Sequence, residues 1–240
     1  MFLEKMLQSQ GFGSRKHCQQ LIKNGAIQIQ NEVVTDPKFK LDTQNLVFSV
    51  YTETFQYREK VYIALNKPQD YECSHQSTHH FSVFDLFDDV LMNRGLQTVG
   101  RLDQDTTGLL LLTDDGQFLQ ALTHPKKHVA KVYQIQTADP ITDDQIQQLE
   151  QGVELRNEKG TFAATDVQRL AEYALQITVH QGVYHQVKRM LAAVGNKVES
   201  LHRAQVGQLA LKELVEGEWV YLTEDQVNAA RNSQNEQIVI

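Results

Sequence analysis

The stretch Gly100-Arg101-Leu102-Asp103-Gln104-Asp105-Thr106-Thr107-Gly108 runs straight into Leu109-Leu110-Leu111-Leu112 and then Thr113-Asp114-Asp115-Gly116. Four consecutive leucines bounded by turn residues read as a strand buried on both faces, and the Asp-Asp-Gly turn fixes where it stops. Glycine admits backbone conformations closed to other residues, so the turn framed by Gly100 and Gly108 can present a side chain in front of a rigid strand. Asp103 is the carboxylate so presented. On local physics alone, an acid in such a turn is ordinarily solvated or caps a helix.

At 240 residues with 41% hydrophobic composition, the chain can hold one large domain plus a small one around a genuine core. No apolar run approaches the eighteen or so residues of a membrane span. The start, Met1-Phe2-Leu3-Glu4-Lys5, lacks a basic region followed by a secretory apolar stretch, so a cytoplasmic protein is expected. Cys18 and Cys73 are the only cysteines and lie far apart, which argues for reduced thiols rather than a disulfide framework. Cys73, His75, His79 and His80 match no standard zinc spacing, so no metal is expected. Neither a phosphate-binding glycine loop nor a dinucleotide fingerprint appears.

The net charge of −7 argues against indiscriminate nucleic-acid binding, but the charge is unevenly spread. In residues 1–42, Lys5, Arg15, Lys16, Lys23, Lys38 and Lys40 outnumber Glu4, Glu32, Asp36 and Asp42. Lys126, Lys127 and Lys131 form a second basic cluster, and Lys188, Arg189, Lys197 and Arg203 a third. A basic face on an acidic body suits selective contact with RNA.

The first segment reads as helix, turn, helix and hairpin. A helix from Leu3 to Gln10 breaks at Gly11 and Gly13, Ser14 caps a second helix running to Asn24, and Gly25 stops it. Short strands at Ala26–Ile29 and Val33–Val34 follow. We assign residues 1–50 to a small RNA-binding domain, 51–60 to a polar linker, 61–231 to the main domain and 232–240 to a loose tail. Within the main domain, strands are expected at 61–65, 109–113, 131–137, 163–169 and 173–180, with helices near 116–123, 143–151 and 185–194 and another from Thr223. Strands and helices mix without regular alternation, which predicts an α+β fold on a mixed, mainly antiparallel sheet.

In the strand at 131–137, Lys131, Tyr133 and Ile135 share one face. In the helix at 185–194, Val187, Met190, Leu191 and Val194 form an apolar stripe that Gly195 ends. Lys188 falls at the edge of that stripe, where a cation can reach a half-buried carboxylate, whereas Arg189 points nearly opposite and suits phosphate. Lys188 is therefore the expected partner of Asp103.

The motif Gly100 to Gly116 closely resembles the central motif of the RsuA-type ribosomal RNA pseudouridine synthases. Asn66-Lys67-Pro68, Lys131-Val132-Tyr133 and the run from Tyr184 to Gly195 follow in that family's order, so the resemblance covers nearly the whole chain. It implies that Asp103, Tyr133 and Lys188 are catalytic: Asp103 as the carboxylate, Tyr133 against the uracil, Lys188 as the cation. It further implies that Arg101, Lys131, His185, Gln186 and Arg189 edge the RNA site. Arg101 would hold a phosphate or fill the space vacated by a flipped base. The first segment resembles the α-L RNA-binding motif named for a ribosomal protein, with Arg15, Lys16 and Lys23 as contacts. Phe2 stands where such modules often carry Arg.

Pseudouridine formation detaches uracil, turns it and rejoins it through carbon five, so no cofactor is implied. Asp105 invites a two-carboxylate hydrolase reading. Only Asp103 aligns with the family's catalytic position, however, which leaves Asp105 as a turn or capping residue. Asp70 replaces the Gly usual after Asn-Lys-Pro-x, and Gln181 a common Glu. The Thr113-Asp114-Asp115-Gly116-Gln117 run and His185 to Met190 look closest to enzymes of the small subunit. The expected substrate is therefore 16S rRNA or the assembling small ribosomal subunit, acted on by a monomer. The rivals are a 23S rRNA synthase and a non-catalytic rRNA-binding or assembly factor.

Overall fold

Ser14 opens the second helix as a cap, its hydroxyl accepting a hydrogen bond from His17 N at 3.3 Å. In this computed structural model, which describes residues 1–77, 79–232 and 237–240, the first unit comprises Met1–Val61 together with Asp85–Gln97. Helices α1 (Leu3–Ser9) and α2 (Arg15–Lys23) cover a four-stranded antiparallel sheet. Its strands are β1 (Ile27–Ile29), β2 (Glu32–Val33), β3 (Val47–Val50) and β4 (Glu53–Gln56), in the order β2-β1-β3-β4. Leu3, Met6, Leu7, Ile22, Ile27 and Phe48 form the core.

Two features of this unit depart from the sequence reading. Strand β4 lies in the stretch read as a linker. Phe55 holds it in place, because its ring packs edge-on to Phe12 at 4.9 Å and stacks with Phe48 at 5.7 Å. The excursion Asp85–Gln97 belongs to this unit through polar contacts: Asn93 Nδ2 donates to Gly11 O at 3.1 Å and Arg94 Nη2 to Arg58 O at 2.9 Å. Gly11 is required there, since a Cβ would stand 1.9 Å from Val90 O.

The second unit, Tyr62–Phe84 with Thr98–Ile240, is built on one sheet. Its main strands are β5 (Tyr62–Lys67), β6 (Thr106–Thr113), β7 (Lys131–Thr137), β8 (Thr165–Ala171), β9 (Ala174–Val179), β10 (Val198–Val206) and β11 (Trp219–Tyr221). They run in the order β8-β9-β7-β10-β6-β5-β11, antiparallel throughout except for β10 beside β6. The α+β, mainly antiparallel expectation therefore holds. Leu109 to Leu112 are at most 1% exposed, as their run predicts. Leu109 and Leu111 pack with Phe118 and Leu122 of α3 (Gly116–Thr123) and Val227 and Ala230 of a later helix, Glu224–Arg231. Asp115 caps α3, accepting from Gln117 N at 2.9 Å and from Tyr62 Oη at 2.8 Å. Helices α4 (Asp143–Gln151) and α6 (Glu224–Arg231), which flank α5 (Gln186–Ala193) in the chain, both open on capping boxes, Thr142 with Gln145 and Thr223 with Gln226.

Strand β10, central to the sheet, has no counterpart in the sequence reading. Its run Val198-Glu199-Ser200-Leu201-His202-Arg203 is too polar to signal a buried strand. The tail reading falls partly on residues 233–236, outside the described residues; beyond them Ile238–Val239 pairs in parallel with Leu209–Ala210.

Gly108 lies opposite Arg203 where β6 and β10 run parallel, with φ +103°. A Cβ there would stand 2.4 Å from Arg203 O and 2.7 Å from Arg203 N. Gly108→Ala is expected to cost about 3 kcal/mol, from the strained backbone and the forced separation of two strands. Urea unfolding checks it, and an unchanged midpoint would contradict the packing described.

Candidate active site

The turn that carries Asp103 closes on itself, Thr106 N donating to Asp103 O at 3.1 Å, and is held from behind by Lys67. The Lys67 ammonium, fully buried at the end of β5, donates to Pro68 O at 2.8 Å, Gln104 O at 3.1 Å and Thr106 O at 2.9 Å. Three carbonyls match the three donors of an ammonium. Burial, opposed by the nearby Cys73, Asp105 and Asp103, pushes its pKa down to about 8. Asp70 N donates to Gln104 O at 2.8 Å and Leu102 N to Cys73 Sγ at 3.5 Å, so the turn is tied at several points.

In front, the half-buried Asp103 carboxylate meets Lys188 Nζ at 3.1 Å and His185 Nε2 at 3.2 Å. Lys188 reaches it from the first turn of α5, as the helical spacing predicts. It also donates to Asp105 Oδ1 at 2.6 Å, so Asp105 is a partner of the site's cation and not merely a turn residue. Burial works to lower the Lys188 pKa, but the hydrogen bonds and charges of Asp105 and Asp103 outweigh it and raise the value. His185 begins the helix in the left-handed region at φ +50°, its ring stacked on Tyr184 at 3.7 Å. Such strain is held by its surroundings and concentrates at functional sites.

These groups open onto a cavity of about 330 Å³. That volume is at the small end of ligand pockets, suited to a flipped nucleoside and not to a stacked helix. Asp103, Tyr133, Lys188, Arg101, Lys131, His185 and Gln186 all line it, together with Arg203. Tyr133 is 9% exposed and its hydroxyl has no hydrogen-bond partner among the described residues. Arg101 is exposed and pairs with no acid among the described residues.

Two expected RNA contacts are otherwise engaged. The Gln186 amide accepts from Val183 N at 3.3 Å and donates to Gln181 Oε1 at 3.4 Å, closing the loop before α5. Arg189 is absent from the cavity wall. It pairs with Glu158 at 3.2 Å and donates to Tyr184 O and Arg156 O, bracing the 156–158 loop. In the first unit, Arg15 pairs with the buried Glu4 at 2.7 Å, while Lys16 and Lys23 stand exposed on α2. The sequence reading assigned no role to Lys67 and named Arg203 only within a basic cluster. The signal was present in Asn66-Lys67-Pro68, where the structure shows a lysine ending the buried strand β5, beyond the expected strand at 61–65.

Residues 61–193 match the family model described as RNA pseudouridylate synthase, and residues 3–47 match the S4 domain. Ribosomal small subunit pseudouridine synthase A of Vibrio cholerae is 40% identical over 228 residues, covering 95% of this chain and 98% of that protein. The Escherichia coli protein of the same name is 36% identical over 228 residues, with the same coverage. A crystal structure of a pseudouridylate synthase superposes with a TM-score of 0.67 at 35% identity, over 96% of this chain and 99% of its own.

Lys67 releases its proton near pH 8 in the folded chain, against an ordinary value of 10.5. Below pH 8 both states are protonated and the folded state bears the full burial cost of the charge. Between the two values the unfolded state binds more protons, so the contribution of Lys67 to stability rises with pH. Lys67→Met removes that dependence. Urea unfolding at about pH 7 and about pH 9.5 should therefore show the wild type gaining on the variant at the higher pH, and a constant difference would contradict this placement.

Proposed function

The chain belongs to the RNA pseudouridylate synthase family, and on that premise we propose that it converts one uridine of 16S ribosomal RNA to pseudouridine. The observation that carries the reading is a single carboxylate, Asp103, aimed from a pinned turn into a nucleoside-sized cavity between Lys188 and Tyr133. The reaction needs little else. The bond between N1 and the sugar breaks, the base turns, and C5 bonds to the same sugar carbon, losing its proton while N1 takes one up. Asp103 supplies the negative oxygen that meets the electron-poor partner. Lys188 and His185 fix that oxygen's direction. Tyr133 lies along the base, with a free hydroxyl to move a proton, and the cavity walls limit the water that could attack the sugar carbon while the base is detached.

A base in a stacked helix cannot enter such a cavity, so the uridine is flipped, at a cost of a few kcal/mol. Arg101 at the mouth is suited to the flanking phosphate or to the space left in the stack. The small-subunit choice rests on the names of the relatives and agrees with the motif resemblances. Ribosomal RNA as substrate places the work in the cytoplasm, on free 16S rRNA or an assembling subunit. We propose that it acts as a monomer. We assign residues 1–50 to RNA binding and 61–231 to catalysis; no helix among the described residues is long and apolar enough to cross a membrane.

Pseudouridine mapping of 16S and 23S rRNA from cells with and without the gene tests the substrate. One 16S site should vanish and return with the wild type but not with Asp103→Asn, which should keep RNA affinity. Loss in 23S alone would overturn the substrate, and no loss anywhere would favour a binding factor. Replacing Lys16 or Lys23 by Ala should weaken binding across sequences and flatten the salt dependence by about one unit of slope each, as for a lost phosphate contact. Unchanged slopes would remove α2 from the RNA interface.

A further inference from the structure

Besides the exposed Arg101, two cations in the cavity face no acid among the described residues. Arg203 lies directly across the β7–β10 ladder from Tyr133, so the two side chains share a face. Lys131, two residues before Tyr133, shares it too. Arg203 is 3% exposed; its Nε donates to Leu109 O at 2.8 Å, and its two terminal nitrogens have no partner among the described residues. Lys131 Nζ donates to Val129 O at 3.0 Å, with no carboxylate. Burial, and then the neighbouring Arg203, lower the Lys131 pKa to about 8. Asp103 offers them no charge pairing, because its contacts are with Lys188 and His185.

Two like charges, largely buried and left without a counter-ion, are costly in the resting protein. The arrangement suits an anion that arises within the cavity. A uridine phosphate fits poorly, since it stays with the strand and the exposed Arg101 already stands for it. The detached base fits well. Resting on the function proposed above, we propose that Lys131 and Arg203 form an anion site that holds the carbonyl oxygens of the detached uracil. When the N1 bond to the sugar breaks, its electron pair leaves with the base and spreads over those oxygens. When C5 then bonds to the electron-poor sugar carbon the base is neutral again, and as C5 gives up its proton N1 takes one up, so the product leaves the site uncharged. Donors preorganised toward developing charge are worth more in a closed cavity than in water.

The test uses the full-length protein and a 16S rRNA transcript, comparing single-turnover rate with RNA affinity for Arg203→Gln, Arg203→Lys, Lys131→Gln and Lys131→Arg. Each Gln variant should lose about 100-fold or more in rate, as for a lost oxyanion donor, with affinity nearly unchanged; the Lys and Arg exchanges should recover part of the rate. A transcript carrying 5-fluorouridine separates this from misfolding. Fluorine stabilises the departing base anion, so the gap between variant and wild type, read as disappearance of 5-fluorouridine, should shrink at least about tenfold. A structural defect would slow both transcripts equally and overturn the proposal. Affinity falling in step with rate, with a flatter salt dependence, would make the pair a phosphate contact and overturn it too. If Arg203→Gln fails to fold, Lys131→Gln carries the test. A wild type that makes no pseudouridine on any rRNA defeats the function proposed above. A wild type that does, beside equally active Gln variants, defeats only the anion site.

Discussion

The second unit's chemistry hangs on a buried ammonium. Lys67 is removed from water, which is unfavourable for any charge, and is compensated by three main-chain carbonyls, two of them in the turn that follows Asp103. The same contacts tie the end of β5 to the start of β6, two strands already paired side by side. A turn held only by its own hydrogen bond would let the carboxylate wander. Fixed at Gln104 and Thr106, and by Cys73 at Leu102, it projects Asp103 in one direction. Lys188 and His185 on α5 can then meet it.

Lys188 has two acceptors, and this sharing matters. A lysine bound to Asp103 alone would compete with any electron-poor partner for the same oxygens. With Asp105 at 2.6 Å and Asp103 at 3.1 Å, the closer contact is with the acid that does not line the cavity. The cation thus screens Asp103 without monopolising it. Asp105 is the more exposed of the two acids, as suits a positioning group at the rim.

How much of this was legible in the sequence depended on what each residue is in contact with. The Leu109–Leu112 strand, the Ser14 and Asp115 caps and the Thr223 helix start are local: a few neighbouring residues specify them. Lys188 was legible because helical periodicity separates it from Arg189 by a full 100°. Strand β10 was not, since Glu199 and Ser200 are exposed and the burial of Arg203 has a reason that appears only when β6 and β7 stand on either side. Arg203 reads as a surface cation until Gly108 is seen beneath its backbone and Leu109 O beneath its Nε. The place of 85–97 in the first unit rests on carbonyls of Gly11, Arg58 and Glu59, which carry no side-chain signature. Arg189 misled because an outward direction on a helix says nothing of a loop, here 156–158, that comes to meet it.

The distribution of charge completes the argument. A protein of net charge −7 keeps four cations, Arg101, Lys131, Lys188 and Arg203, around one cavity, and among the described residues Lys188 is the one of these paired with carboxylates. An acidic exterior disfavours random polyanion binding. It also raises the cost of misplaced RNA relative to a strand that delivers one base into the cationic interior. The pairing of β6 with β10 makes this economical: the Gly108 backbone lets the Arg203 strand approach closely, so the turn bearing the acid and the strand bearing the cation are set by one contact. Selectivity and catalysis then draw on the same few groups, arranged so that the favourable electrostatic interactions lie inside the cavity, where only an unstacked base can reach them.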